Sequence, residues 1–209
     1  MEINELVRGI FHLNFETQYE AAATFMRLQE FYECPDPKIR GKYFTFPQFM
    51  DSYARREGNF TYTTDWEGFN VPSHSVNKFF AKFHDLSAKE KKIKKLADSV
   101  PYRKYYLIGT FKNEDLNHEL AHGFYYLFAD YRREMKRLIE RCSIRRSIIK
   151  CLKKMGYNDQ QIDDEIQAYL GTEKMSYIRT AFKIRTKWKM IPKFRRVFKS
   201  YKKKLTSCS

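Results

Sequence analysis

Residues 115–128 read DLNHELAHGFYYLF and hold two of the chain's five histidines, His118 and His122, with Glu119 directly after the first. Residues four apart on a helix lie on one face, so both imidazoles can reach a single metal ion. Zinc takes nitrogen ligands readily, and its catalytic sites combine three protein ligands with a water. A carboxylate beside the first histidine can take a proton from that water while the metal lowers its pKa. The five residues HELAH therefore specify two ligands, His118 and His122, and a general base, Glu119.

A third ligand has to come from elsewhere, because no histidine follows His122. The segment DDEIQAYL offers Glu165. On a helix it shares a face with Ile162, three residues back, and with Tyr169, four residues on. A carboxylate turned inward among such neighbours is costly unless it is paired or bound to a metal. Asp130, Glu140, Asp163 and Asp164 are rival carboxylates, and an acidic helix start that only favours the dipole is the plain alternative.

The elements that must hold these residues follow from the pattern. KYYLIGTF, residues 104–111, is β-branched and aromatic, ends on Gly-Thr, and is the clearest strand. Residues 113–115 are expected to cap the helix of HELAH. A long charged helix or helix pair runs on to Gly156. The next helix has Asn158 as cap and Gly171 as stop. Upstream, helices are expected over residues 16–33, ended by Pro35 and Pro37, and after Thr45 with Pro47 in the first turn. Ser87 and Glu90 form a capping box for another helix, and Ser73 or Ser75 caps one through Phe83. Residues 57–73, rich in Gly, Thr and aromatics, are expected to be a hairpin or structured loop.

A strand, a helix carrying HELAH and a later helix supplying a glutamate resemble the zincin metallopeptidases, and more narrowly the gluzincin arrangement. The resemblance covers residues 103–172. It implies zinc bound by His118, His122 and Glu165, with Glu119 as general base in peptide-bond hydrolysis. It also implies an oxyanion donor, usually Tyr or His, for which Tyr169 is the first choice and Tyr177 and His74 are others. Two features depart from the family: the gap from His122 to Glu165 is longer than in the compact members, and Asp164 stands where an Asn is usual.

Composition bounds the rest. The 209 residues carry 18 Phe and 15 Tyr, enough to build a core and to exclude a wholly disordered chain. The formal charge is +15, and residues 174–204 contain thirteen Lys/Arg with no Asp or Glu, leaving 27 basic and 25 acidic residues for the remainder. That segment interleaves its charges with Phe182, Ile184, Trp188, Met190, Phe194, Val197, Phe198 and Tyr201. It could bind an acidic partner, nucleic acid or an anionic membrane, or pack its apolar side on the domain. Pro192 should break or kink it. The four scattered cysteines form no CxxC pair and suit a reducing compartment. No signal-like h-region and no membrane-length apolar run is present, so a cytoplasmic protein is expected.

The expectation is an α+β chain, predominantly helical with a small sheet and a zincin-like core. Its parts are a helical N-terminal region with an aromatic hairpin or loop (1–102), the metal-binding core (103–172) and a basic C-terminal helical segment (173–209). The expected function is zinc-dependent peptide hydrolysis. The alternatives are a non-enzymatic nucleic-acid- or membrane-binding protein acting through residues 174–204, and a zinc-binding pseudoenzyme.

Overall fold

A computed structural model describes residues 1–183 and 189–206. In chain order the elements are β1 (Glu2–Val7), β2 (Ile10–Phe15), α1 (Gln18–Glu33), α2 (Phe46–Glu57), α3 (Tyr62–Asp65), β3 (Gly68–Pro72), α4 (Ser73–Lys82), α5 (Ala88–Ser99), β4 (Tyr106–Phe111), α6 (Leu116–Leu127), α7 (Ala129–Glu140), α8 (Arg145–Lys154), α9 (Ile162–Thr172), α10 (Met175–Ala181) and α11 (Ile191–Thr206). The fold is α+β, mainly helical with one four-stranded mixed sheet in the order β1-β2-β4-β3. The chain divides into two compact units, residues 1–116 and 117–209. This differs from boundaries at 102/103 and 172/173. The strand β4 pairs with β2 on one side and β3 on the other, which ties it to the first unit. The basic helix α11 packs within the second.

The first unit is built on the sheet. Arg8 and Gly9, with Gly9 at φ 83°, turn the chain between the antiparallel strands β1 and β2. Neither strand is expected from the sequence pattern. Residues 57–73 are not the expected hairpin or structured loop. They form the short helix α3 and then β3, whose antiparallel partner is the distant β4. Pro72 is tolerated because β3 lies at the sheet edge.

Gly109 does not end β4 but lies inside it, opposite Leu13 on β2 and Phe69 on β3. A Cβ there would meet the Phe25 ring of α1 at 2.3 Å. Only a residue without a side chain lets α1 approach the sheet this closely. Phe25 stacks on Phe69 with centroids 5.6 Å apart and meets Phe15 edge-on. Gly109→Ala is expected to cost at least about 1–3 kcal/mol, the range for overpacking a core. The measurement is the urea unfolding midpoint at unchanged slope.

The expected N-cap Thr45 of α2, with Pro47 in the first turn, and the expected capping box of Ser87 and Glu90 in α5 are present, and Thr45 also forms a capping box with Gln48. Glu90 has a second task that the local pattern does not reveal. Its carboxylate takes two hydrogen bonds from Arg27 of α1, at 2.8 and 2.7 Å, while Arg27 also donates to Asp85. Arg27 and Glu90 are both buried. Their hydrogen bonds hold the guanidinium's pKa above its ordinary value against the opposing effect of burial. Arg27→Met leaves a buried carboxylate without its cation and is expected to cost about 3–5 kcal/mol, read from the same unfolding curves. In α4 the N-cap position is Pro72, and Ser73 and Ser75 lie within the first turn, both buried.

The second unit is helical. The expected long charged stretch is the pair α7 and α8. The helix α9 starts without a side-chain cap and runs one residue past Gly171, while Asn158 bonds Gln160 and Gln161 in the preceding turn. Pro192 neither breaks nor kinks a helix. It is the second residue of α11, where its missing N–H is no loss. Phe194, Val197 and Phe198 of α11 are buried; Phe198 meets Phe124 and Tyr201 meets Tyr131. Ile184 and Trp188 lie outside the described residues. Among the described residues, no helix is long and apolar enough to cross a membrane.

Candidate metal centre

The HELAH segment lies on α6, where Glu119, Leu120, Ala121, His122 and Gly123 are all buried. Residues 113–115, expected to cap this helix, lie in the turn of residues 112–115 before it. Lys112, Asn113 and Asp115 there have left-handed φ angles of 51, 60 and 51°. Asn and Asp tolerate that region better than most residues.

Glu165 stands on the buried face of α9 between Ile162 and Tyr169. His118 Nε2 lies 4.0 Å from Glu165 Oε2, and His122 Nε2 lies 3.7 Å from Glu165 Oε1. One ligand atom from each of His118, His122 and Glu165 falls within 4.8 Å of the others. Side-chain exposure is 13% for His118, 4% for His122 and 7% for Glu165. Glu165 Oε2 is buried without a hydrogen-bond partner. A buried carboxylate oxygen left this way is costly, and a cation among these three side chains would satisfy it.

The other ring nitrogens explain how the imidazoles are aimed. His122 Nδ1 is 2.9 Å from Asp164 Oδ1, and His118 Nδ1 is 3.1 Å from Glu173 Oε1. An ionised carboxylate only accepts, so each Nδ1 donates to its carboxylate, and each Nε2 is left as the ring atom that a metal would take. Carboxylates that orient metal-binding histidines in this way also raise their basicity. Behind Asp164 the network continues: Gln167 donates to Asp164, and the Tyr131 hydroxyl donates to Gln167. Glu173 closes α9, and its backbone carbonyl accepts from Arg195 of α11.

Asp164, expected only as a rival third ligand, instead orients His122, and Glu173 was not among the residues expected to matter. Asp164 carried a signal, since it directly precedes Glu165; Glu173, after Gly171 and Thr172, carried none. The remaining rivals for the third ligand lie elsewhere. Asp130 pairs with Arg133 on the surface, Asp163 pairs with Arg145 at 3.3 Å, and Glu140 is exposed.

Electrostatics follow the geometry. Burial, the strongest single influence on His122, disfavours its imidazolium. Asp164, Glu165 and Glu119 together outweigh burial and hold the metal-free imidazole's pKa well above the ordinary value. His118 is raised in the same way, with Glu173 opposing burial most. Burial pushes the Glu165 carboxyl up, opposed by the two histidines. Glu119 is near enough for its charge to act on all three.

The Tyr169 ring packs edge-on against His118, 4.8 Å between centroids, and stacks on Tyr177. Its hydroxyl is 3.4 Å from that of Tyr157. Burial, then the charge of Glu165, push its ionisation far up, so it remains a hydroxyl. His74 belongs to the first unit, where its ring meets Tyr32. Comparisons with protein families, with curated proteins and with solved structures find no match for the chain.

Proposed function

We propose that this chain is a zinc-dependent metallopeptidase with a gluzincin-like, zincin-type site. One observation carries the reading. Two Nε2 atoms and a carboxylate converge on one point, both Nδ1 atoms are held by carboxylates, and Glu165 Oε2 is left without a partner. The donor set of two nitrogens and an oxygen suits zinc with a position left for water. Zinc held there would polarise a carbonyl oxygen and lower the pKa of water.

The chain's own residues would do the rest. Glu119 takes the proton from the attacking water and returns it to the leaving amine. Asp164 and Glu173 fix the tautomer and angle of the two histidines. Tyr169, kept protonated by its surroundings, donates a hydrogen bond to the oxyanion as charge develops on it. The substrate class is a peptide or protein. We place the enzyme in the reducing cytoplasm, where the unpaired Cys34, Cys142 and Cys151 remain thiols.

The test is zinc-reconstituted protein against a fluorogenic peptide library, with Glu119→Gln as its partner. Cleavage by the parent alone, at equal zinc content, supports hydrolysis. Zinc without cleavage in either protein makes the chain a zinc-binding pseudoenzyme and overturns the hydrolase reading.

A further inference from the structure

The basic segment supplies no candidate ligand to the metal site, and the structure narrows what it can bind. Residues 117–209 carry 23 Lys/Arg against nine Asp/Glu, so nearly all of the net charge belongs to the second unit. Such asymmetry between halves points to an anionic partner. Within this unit α11 sorts its residues by face. Ile191, Phe194, Val197 and Phe198 are buried, while Lys193, Arg196, Lys199 and Lys203 are exposed. An open groove of about 570 Å³ follows the outer face, lined by Pro192, Arg195, Arg196, Lys199, Ser200 and Lys203. Among the described residues, no carboxylate lines it.

Three kinds of polyanion could meet this surface, and they differ in what they need. An amphipathic helix lying in a bilayer interface needs an apolar face to insert. The apolar face of α11 is already buried within its own unit, and among the described residues the outer stripe offers no aromatic side chain and only Pro192 as an apolar one. Single-stranded nucleic acid gains most from bases stacked on aromatic rings, and Phe194 and Phe198 are buried while Tyr201 packs on Tyr131. Duplex nucleic acid needs neither. It presents one charge per roughly 1.7 Å of axis and is held by cations in fixed positions. From Lys193 to Lys203 the stripe spans about 15 Å of helix. It is held rigid by its buried side and by Lys202, which donates to Asn117 at 2.7 Å.

We infer that the outer face of α11 is a docking surface for the phosphate backbone of duplex nucleic acid, through Lys193, Arg196, Lys199 and Lys203. The contacts are to phosphates, so binding is independent of base sequence. The surface does not depend on the metal centre and stands or falls separately from the peptidase reading.

The experiment is fluorescence anisotropy of the full chain with an end-labelled mixed-sequence DNA duplex across a salt series. The variant Lys193→Ala/Arg196→Ala/Lys199→Ala is compared with Arg146→Ala/Lys150→Ala/Lys154→Ala, which removes equal charge from exposed positions of α8. With four phosphate contacts, binding weakens on the order of 100-fold between about 50 and 200 mM salt. The α11 variant lowers the slope of log affinity against log salt by about 2.7, and the α8 variant leaves it near the parent value. Equal loss in both variants reduces the effect to net charge and overturns the assignment to α11. An unchanged slope in the α11 variant, or no duplex binding, overturns it as well. Binding to phosphatidylserine-containing vesicles but not to duplex assigns the face to a membrane instead and also overturns it.

Discussion

Glu119→Gln is expected to keep a full complement of zinc and to lose peptide hydrolysis by about 10²–10⁴-fold, the usual contribution of a positioned general base. The substitution preserves size and the buried packing of this α6 residue but removes its ability to take a proton. The loss should fall in kcat, because a proton acceptor acts on the reacting water and not on substrate binding. Steady-state kinetics beside metal analysis of the same preparations separates this from a collapsed site. A fall in zinc content that parallels the fall in rate would mean that Glu119 serves the metal.

The second large effect concerns three consecutive acids that differ in what they touch. Asp163 pairs with Arg145, Asp164 holds His122 Nδ1, and Glu165 faces both Nε2 atoms. Their alanine or amide variants should therefore grade sharply in zinc affinity. Asp163→Ala should match the parent. Asp164→Asn should bind about 10–100-fold more weakly, as for loss of an orienting partner. Glu165→Ala should lose the site. Thermal stability gives an independent readout. Zinc at about a thousand times its Kd stabilises a protein that binds it only when folded by roughly 4 kcal/mol. That gain should be kept by Asp163→Ala and be absent in Glu165→Ala. An equal response of all three would mean that the acids act only as a charged helix start.

The parts of this site that follow from spacing along one helix are readable in the sequence. His118, Glu119 and His122 are such a case, and Glu165 is another, because an inward carboxylate between Ile162 and Tyr169 needs a reason. The residues that aim the histidines were not readable. Asp164 reaches His122 from a helix 42 positions downstream, and Glu173 reaches His118 over 55. Which turn of α9 meets which turn of α6 is decided by packing, not by local pattern.

The fold divides along the same line. The N-cap at Thr45 and the capping box at Ser87 are local and legible. The partner of Glu90, Arg27, is 63 residues away and is not. β4 stood out because a run of β-branched and aromatic residues marks a buried strand. β1 and β2 carried a weaker signal: the Arg-Gly pair between them is a two-residue turn, but β2 is buried at nearly every position and so lacks the alternation that marks a half-exposed strand. Gly109 resembled a strand terminus because the packing that requires it comes from Phe25, across the sheet face.

The most direct test of the metal centre is the zinc content of untagged protein by mass spectrometry, measured as purified and again after reconstitution and dialysis. The account predicts about one zinc per chain, lost in His122→Ala. A parent protein that retains no zinc after reconstitution would contradict it.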